Sequence, residues 1–182
     1  MAKTLPVEDA GGADVVKAVK KGALVIIPTD TVYCIACNAL LPEAVERLNA
    51  AKRPDALLSV VAPSKKWIDA NFNVKKAFLD KLPGPFTYVL KPKKEAKGFS
   101  SAIGVRLFEH PVMKAFEKAK LPLVCASVNI SGTAPAVDVK KISPMVTEKA
   151  DFIIDAGTLA NNPSTVIDFT GKVPLIVKRQ AF

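Results

Sequence analysis

Short apolar runs alternate along this chain with segments in which apolar residues recur at helical spacing. ALVII at 23–27 and LLSVVA at 57–62 are largely apolar runs, which is typical of strands buried on both faces. ADVVKAVKK at 13–21 has helical spacing and is followed by Gly22, a residue suited to the end of a helix. The pattern therefore predicts strands and helices in alternation.

The same criteria predict the remaining elements. The predicted helices lie at 13–21, 43–51, 65–71, 75–82 and 111–119, with a partly helical stretch at 137–146. We expect Ser64 to cap the third helix and Asn73 to cap the fourth. The predicted strands lie at 23–27, 35–39, 57–62, 86–91, 103–107, 123–127, 152–155, 165–169 and 175–178.

This order of elements favours an α/β fold, an open twisted β-sheet with flanking helices. The last three predicted strands follow one another without helices, so we expect a mixed rather than an all-parallel sheet. No internal repeat or linker interrupts the sequence, and we expect a single domain over residues 1–182. Ligands of such sheets bind beyond the strand ends, so the polar stretches after strands are the candidate sites.

The charge balance favours anionic partners. Lys and Arg number 26 against 17 acidic residues, which gives a net charge of +9. Such an excess favours nucleic acid, anionic surfaces or phosphorylated small molecules, although the scattered lysine pairs are equally typical of a solvated surface. Only four of the 26 are arginines, the residue that binds phosphate and carboxylate in bidentate geometry: Arg47, Arg53, Arg106 and Arg179.

Composition also narrows the class of protein. Hydrophobic residues make up 49% of the chain, which suffices for a core and excludes a disordered tail. No apolar run approaches the roughly 20 residues of a membrane span, and the first residues do not resemble a signal peptide. The three cysteines, Cys34, Cys37 and Cys125, lie in apolar stretches, where core packing is favoured over a zinc site or a redox pair. We expect a cytoplasmic protein with no membrane partner and no protein-built metal site.

Two polar segments follow the first strand and the second helix. PTDTVY at 28–33 places two hydroxyls, a carboxylate and a phenol in a few residues, which either bind a small polar ligand or cap their own turn. Lys52 and Arg53 close a helix, where two cations either complement the helix C-terminus or bind a phosphate.

Three further segments follow or begin strands. Arg106 lies in a strand pattern, where its charge requires an anionic partner, either a ligand or an internal carboxylate. SVNISG at 127–132 alternates small polar and apolar residues and ends in a glycine. PSTVID at 163–168 brings a hydroxyl pair to a strand start. We interpret His110, directly before Pro111, as part of a helix start and not as a catalytic base.

Taken in order, these segments resemble the YrdC-like family, the threonylcarbamoyl-AMP synthases. The matching motifs are PTDTVY (28–33), KRP (52–54), LPGPFTYVL (82–90), GVRLFEHP (104–111), SVNISG (127–132) and PSTVID (163–168). The resemblance extends from about Ala13 to Arg179 and implies the family's YrdC-like (DHBP synthase-like) fold in its minimal form.

The resemblance implies an enzyme that joins L-threonine, bicarbonate and ATP into threonylcarbamoyl-adenylate and releases pyrophosphate. Partner proteins would then transfer the threonylcarbamoyl group to an adenosine of tRNA, and Mg²⁺ would accompany ATP without a dedicated protein cage. The implied threonine-binding residues are Thr31, Tyr33, Arg106 and Ser164. The implied nucleotide-binding residues are Lys52, Arg53, Ser127, Asn129, Ser131 and Arg179, of which Lys52 and Arg53 would be catalytic. We also expect Arg53, Arg106 and Arg179 to converge on one hollow.

The chain departs from the family pattern at three places. Ala51 stands where the family usually has Lys, Cys34 stands where it usually has Gly, and the loop after Pro54 is short. Similar departures are found in YciO-like paralogues, which leaves a nucleotide-binding protein with weak turnover as one alternative. A module that binds tRNA or double-stranded RNA without catalysis is the other.

Overall fold

Ten strands in the described part of the chain form one mixed sheet. The structure is a computed structural model that describes residues 2–9, 13–51, 58–93, 99, 101–128, 136–159 and 162–177. The strands are β1 (Lys3–Pro6), β2 (Val25–Ile27), β3 (Cys34–Asn38), β4 (Ser59–Val61), β5 (Phe86–Leu90), β6 (Ile103–Arg106), β7 (Leu123–Ser127), β8 (Phe152–Asp155), β9 (Thr165–Asp168) and β10 (Leu175–Val177).

The strand order is β1-β8-β2-β3-β7-β4-β6-β5-β9-β10. Neighbours are parallel in the pairs β1–β8, β2–β8, β4–β6 and β5–β9 and antiparallel in the other pairs. The predicted open mixed sheet with flanking helices is therefore confirmed. β1 was not predicted; it joins the sheet by pairing alongside β8.

Six α-helices in the described residues flank the sheet. They are α1 (Ala13–Lys20), α2 (Pro42–Ala51), α3 (Lys65–Asn71), α4 (Lys76–Leu79), α5 (Met113–Lys118) and α6 (Pro144–Thr147), with a 3-10 turn at Val139–Lys141. α1 ends as predicted at Gly22, whose φ of +98° lies in the left-handed region that glycine adopts without strain. None of these helices combines the length and the apolar composition needed to cross a bilayer.

The two predicted helix caps have different outcomes. Ser64 caps α3 as expected, because its hydroxyl accepts a hydrogen bond from the backbone N–H of Trp67 at 3.1 Å. The prediction for Asn73 is wrong: α4 begins after Lys75 without a side-chain cap. The Asn73 amide instead donates to the backbone carbonyls of Lys91 and Pro92, because the chain after β5 lies alongside this loop.

Helices cover both faces of the sheet. On one face, α1 and α5 pack over a cluster that includes Val25, Val61 and Leu123. On the other face, α2 and α6 pack over a second cluster that includes Ile26, Ile35 and Val60. A third cluster under α3 and α4 joins β5 and β6. Cys34, Cys37 and Cys125 form no disulfide among the described residues and are buried in the first two clusters, so their predicted core packing is confirmed.

The strand directions determine which loops meet. β5 and β9 are parallel and β6 is antiparallel to β5, so the N-terminal ends of β5 and β9 lie beside the C-terminal end of β6. The C-terminal ends of β5 and β9 lie at the opposite end of these strands. A cavity lies at each of the two strand ends.

Candidate functional site

The larger described cavity joins four segments that are far apart in sequence. Its volume is about 530 Å³, within the range of small-molecule sites. Its lining residues are Asp30, Thr31, Pro83, Gly84, Pro85, Glu109, Asn162, Pro163 and Thr165. They belong to the β2–β3 loop, the segment before β5, the segment after β6 and the start of β9. Four of the predicted motifs thus meet around one cavity.

The β2–β3 loop is held by the hydroxyl of Thr29. This oxygen accepts from the backbone N–H groups of Thr31 and Val32 at 3.0 and 3.1 Å, and it donates to the Val32 carbonyl at 2.8 Å. Because its single proton goes to that carbonyl, its 3.0 Å contact with the Thr31 hydroxyl requires Thr31 to donate. Thr29 therefore caps its own turn, which is one of the two roles that the sequence allowed for this segment. The Thr31 hydroxyl oxygen can still accept a hydrogen bond from another group.

Arg106 donates hydrogen bonds to both Thr31 and its neighbour Asp30. Its Nη1 donates to the Thr31 hydroxyl oxygen at 3.3 Å, and its Nη2 donates to the Asp30 carboxylate at 2.5 Å. The Arg106 side chain is only 6% exposed and that of Asp30 is 18% exposed. Of the alternatives that the sequence left open for Arg106, the structure shows an internal carboxylate partner. A hydroxyl and a carboxylate from one loop therefore hold a buried guanidinium under the cavity.

The environment of this ion pair is apolar. Arg106 is in register with Val61, and Val61 with Leu123, so its side chain lies on the sheet face of the first cluster. The guanidinium carbon is 5.2 Å from the centre of the Phe108 ring, a cation–π contact. The Arg106 Nε–H is buried and has no hydrogen-bond partner among the described residues. This guanidinium thus retains one donor that the described protein does not use.

Burial changes the protonation balance of Asp30. Desolvation raises the pKa of this carboxyl above its usual value, and the charge of Arg106 acts in the opposite direction. The two charges therefore stabilise each other, because each is largely buried beside an opposite charge.

Ser164 lies beside the cavity and Ser127 shares a sheet face with Arg106, but neither is among the residues that line the cavity. Ser164 is buried between the lining residues Pro163 and Thr165, and its hydroxyl lies 2.7 Å from that of Thr87. Ser127 ends β7 in register with Cys34, on the sheet face that carries Arg106. Both positions agree with a site on this face, but their predicted ligand contacts remain predictions.

Tyr33 lies apart from the cavity. Its side chain is fully buried in the second cluster, on the opposite face of the sheet from Arg106. Its hydroxyl donates to the Gly157 carbonyl at 2.7 Å and accepts from the Ala156 N–H at 3.0 Å. A direct contact with a ligand in the cavity does not fit this position. Tyr33 ties β3 to the segment after β8 instead, because side chains alternate between sheet faces and its neighbour Cys34 lies in the first cluster.

Several predicted residues lie outside the described part of the chain. These are Lys52, Arg53, Asn129, Ser131 and Arg179. The predicted convergence of Arg53, Arg106 and Arg179 therefore remains a prediction.

Sequence reasoning did not place Asp30, Glu109 or Asn162 among the site residues. Each lies inside or directly beside a motif that the sequence singled out, and each lines the cavity. Their positions in or beside the motifs could have identified them as candidate site residues. The pairing of Asp30 with Arg106 could not be predicted in this way, because it depends on how the loop folds over the sheet.

Comparison with known proteins is consistent with this geometry. A protein of Methanocaldococcus jannaschii, provisionally named a threonylcarbamoyl-AMP synthase, is 35% identical over 160 residues, which are 83% of this chain and 76% of that protein. YciO of Escherichia coli, which is uncharacterised, is 27% identical over 179 residues, which are 90% of this chain and 85% of that protein.

Solved structures of longer relatives match the same fold. The crystal structure of Pyrococcus abyssi Sua5 complexed with L-threonine superposes with a TM-score of 0.81 at 25% identity and covers 97% of this chain. The match covers 56% of the Sua5 chain, so this chain spans about half the length of that relative. The sequence model of the Sua5_yciO_yrdC family, described as "Telomere recombination", matches residues 17–180. The resemblance inferred from the motifs is confirmed, and the chain belongs to the Sua5/YciO/YrdC family.

Proposed function

We propose that this protein is a threonylcarbamoyl-AMP synthase. In the proposed reaction the amine of L-threonine forms an N–C bond with the bicarbonate carbon, and water is lost. The resulting carbamate oxygen then forms a bond to the α-phosphorus of ATP, and the bond from that phosphorus to the pyrophosphate leaving group breaks. The names of the M. jannaschii and P. abyssi relatives support this assignment.

The observation that carries the proposal is the charge arrangement of the larger cavity. Threonine is a zwitterion with a hydroxyl, so its site needs a cation, an anion and hydroxyl partners. Arg106 supplies the cation beside Thr31, and Asp30 and Glu109 supply carboxylates on the lining. We propose that the threonine carboxylate binds at Thr31 and Arg106, whose Nε–H lacks a described partner, and that the ammonium group lies toward Glu109.

The proposed position of the carboxylate requires a local rearrangement. Asp30 already holds the Nη2 of Arg106, and little of the guanidinium is exposed. A ligand carboxylate therefore has to share or displace this contact. Sharing is favoured over displacement, because the guanidinium has more N–H donors than the two contacts use and Asp30 then keeps its cation.

The nucleotide part of the proposal rests on the family resemblance. We propose that Lys52, Arg53, Ser127, Asn129, Ser131 and Arg179 bind ATP and that Lys52 and Arg53 stabilise charge on its phosphates. Among the described residues no group of three or more His, Cys, Asp and Glu side chains could hold a metal ion. We propose that Mg²⁺ enters bound to the phosphates of ATP, without a dedicated protein cage.

The product suggests the next step and the compartment. An acyl adenylate is a mixed anhydride that donates its acyl group, so we propose that transfer proteins pass threonylcarbamoyl to an adenosine of tRNA. We further propose that this takes place in the cytoplasm, a reducing compartment that suits three buried cysteines without a disulfide among the described residues.

A pyrophosphate-release assay tests the proposal. With L-threonine, bicarbonate, ATP and Mg²⁺ all present, we expect steady pyrophosphate release, and we expect loss of the signal when any one of them is omitted. A rate that does not change when threonine is omitted would rule out the proposed reaction.

Point variants connect the activity to the cavity. Thr31→Val removes a hydroxyl and keeps the side-chain shape, so we expect weaker threonine binding in calorimetry with the fold intact. Arg47→Gln is the matched control, because Arg47 pairs with Asp151 on the surface, outside the cavity lining. Equal threonine affinity in Thr31→Val and the unaltered protein would show that threonine does not bind at Thr31 in this cavity.

The match to YciO favours a second candidate, a protein that binds the substrates without turning them over efficiently. The match extends over 90% of this chain, which also carries Ala51 and Cys34 at two motif positions. The Cys34 side chain is buried in the first cluster and does not line the cavity. Threonine binding in calorimetry, together with no pyrophosphate release, would favour this candidate over the synthase.

A further inference from the structure

A second cavity differs from the first in its charge. Its volume is about 390 Å³, and its lining residues are Asn73, Val74, Lys75, Lys93, Phe169, Gly171, Lys172 and Pro174. Three of these residues are lysines and none is acidic. Among the described residues, those that line the larger cavity instead include two carboxylates and neither Lys nor Arg. The lysine-rich lining of the second cavity therefore favours an anionic ligand more strongly than the lining of the larger cavity does.

The two cavities lie at opposite ends of the same strands. The larger cavity includes the residues before β5 and Thr165 at the start of β9. The second includes Lys93 after β5 and the turn between β9 and β10. At a rise of about 3.3 Å per residue, these strands separate the cavities by roughly 13–17 Å. The second cavity is thus a separate place on the protein, outside the proposed threonine site.

Local contacts hold the walls of the second cavity. The Asn73 side chain donates to the carbonyls of Lys91 and Pro92 at 3.3 and 3.4 Å, which joins the α3–α4 loop to the chain after β5. Phe169 packs edge-on against Phe78, with ring centres 4.6 Å apart. The cavity therefore has an ordered apolar wall beside its lysines.

The turn after β9 is also ordered by a side chain. The Asp168 carboxylate accepts from the Thr170 N–H at 2.7 Å, and this hydrogen bond lowers the pKa of Asp168. The turn then continues to Lys172, which is exposed. Asp168 is consequently engaged within its own turn and does not line the cavity.

The lysines carry positive charge that carboxylates of the described protein do not neutralise. Within the described residues, no ion pair involves Lys75, Lys93 or Lys172. The Lys93 ammonium donates to the backbone carbonyl of Asp69 and has further N–H donors beyond this contact. Three ammonium groups around one depression concentrate positive potential there.

We propose that this cavity is a phosphate-binding site. Lysines bind phosphate as point charges, and three ammonium groups suit a small phosphate of two or more negative charges, or neighbouring singly charged phosphodiesters, better than one carboxylate. The group can come from the backbone of a structured RNA or from a small phosphate such as pyrophosphate. The net charge of +9 suits either source.

Two probes and two double variants test the proposal. The probes are a fluorescein-labelled RNA duplex of about 16 base pairs, followed by anisotropy, and inorganic pyrophosphate, followed by calorimetry, both without ATP. Lys75→Gln/Lys172→Gln removes two exposed charges at the cavity. Lys17→Gln/Lys118→Gln removes two exposed charges on α1 and α5 and is the matched control. Circular dichroism verifies that both variants fold.

We expect the cavity variant to weaken at least one probe about tenfold and the control variant to leave it unchanged. If the duplex is the affected probe, the slope of log affinity against log salt should also fall by about 1–2. An effect on the duplex alone identifies an RNA backbone, and an effect on pyrophosphate identifies a small phosphate. Equal losses in both variants, no loss in either, or no binding to the unaltered protein would overturn the proposal.

Discussion

The Arg106 guanidinium lies 2.5 Å from the Asp30 carboxylate, although the two residues are 76 positions apart. This contact joins the end of β6 to the β2–β3 loop and forms part of the cavity. Both side chains are largely buried, so each has lost hydration that the partner has to replace. The pair therefore matters for the fold as well as for the proposed site.

Removal of one charge of this pair should destabilise the protein strongly. Asp30→Asn keeps the side-chain shape but leaves the Arg106 charge buried beside a neutral amide. We expect the free energy of unfolding to fall by about 3 kcal/mol, the lower end for breaking a buried pair, because Asp30 retains some exposure. Urea unfolding followed by circular dichroism measures this change.

Two companion variants make the interpretation specific. Asp151→Asn is the same substitution in an exposed ion pair with Arg47, where we expect a loss below about 1 kcal/mol. In the double variant Asp30→Asn/Arg106→Met the orphaned charge is gone, so the loss should be smaller than the sum of the single losses. Additive losses would mean that the two charges do not stabilise each other.

Gly104 is required by the close packing of three strands. A Cβ at this position would lie 2.7 Å from the Ser59 hydroxyl on β4 and 2.9 Å from a Thr87 methyl on β5. We expect Gly104→Ala to lower the free energy of unfolding by about 1–3 kcal/mol, as overpacking does. Thermal unfolding measures the loss.

A permissive glycine and a compensating change serve as controls. The nearest atom to a Cβ at Gly171 is 3.7 Å away, so Gly171→Ala should be nearly neutral. Adding Ser59→Ala to Gly104→Ala removes the nearest clashing atom and should restore part of the lost stability. If the Gly104 and Gly171 variants melt at the same temperature, the packing at Gly104 is not limiting.

Local patterns predicted most of the fold. β2 and β4 are short apolar runs whose residues are largely buried, and α1 shows the helical spacing expected of a helix over a sheet. β1 escaped detection because its residues, KTLP, are mostly exposed and contain no apolar run. Its strand conformation depends on pairing with β8, which lies about 150 residues later. A pairing of that kind leaves no local sequence signal.

The sequence predicted which motifs form the candidate site, but it did not predict which side chains contact one another there. The sequence indicated that Arg106 requires an anion, whereas the choice of Asp30 depends on how the β2–β3 loop folds over the sheet. Tyr33 shows the same limit: it lies two residues from Thr31 but on the other sheet face, where it is fully buried. Motif membership does not specify which face a side chain occupies.

The three cysteines should resist alkylation in the native protein. All three are buried away from the reagent, and burial raises the pKa of the Cys37 thiol to about 12, so almost no Cys37 thiolate forms at pH 8. Mass spectrometry after treatment with iodoacetamide should show no modification in buffer and three modifications in guanidinium chloride. Rapid modification of one cysteine in buffer would instead indicate a reactive thiol and revive the redox interpretation.

His110 should make stability depend on pH below about 6.5. Its Nδ1 accepts from the Val112 N–H at 3.3 Å just before α5 begins, as expected of a residue at a helix start, and burial lowers its pKa from 6.5. Because the unfolded chain binds the proton more readily, stability is complete above 6.5 and falls as the pH drops through the folded pKa. His110→Asn keeps a neutral acceptor and cannot titrate here, so its unfolding free energy should fall less between pH 7 and pH 5. Identical slopes for the two proteins in urea titrations would contradict a buried, neutral His110.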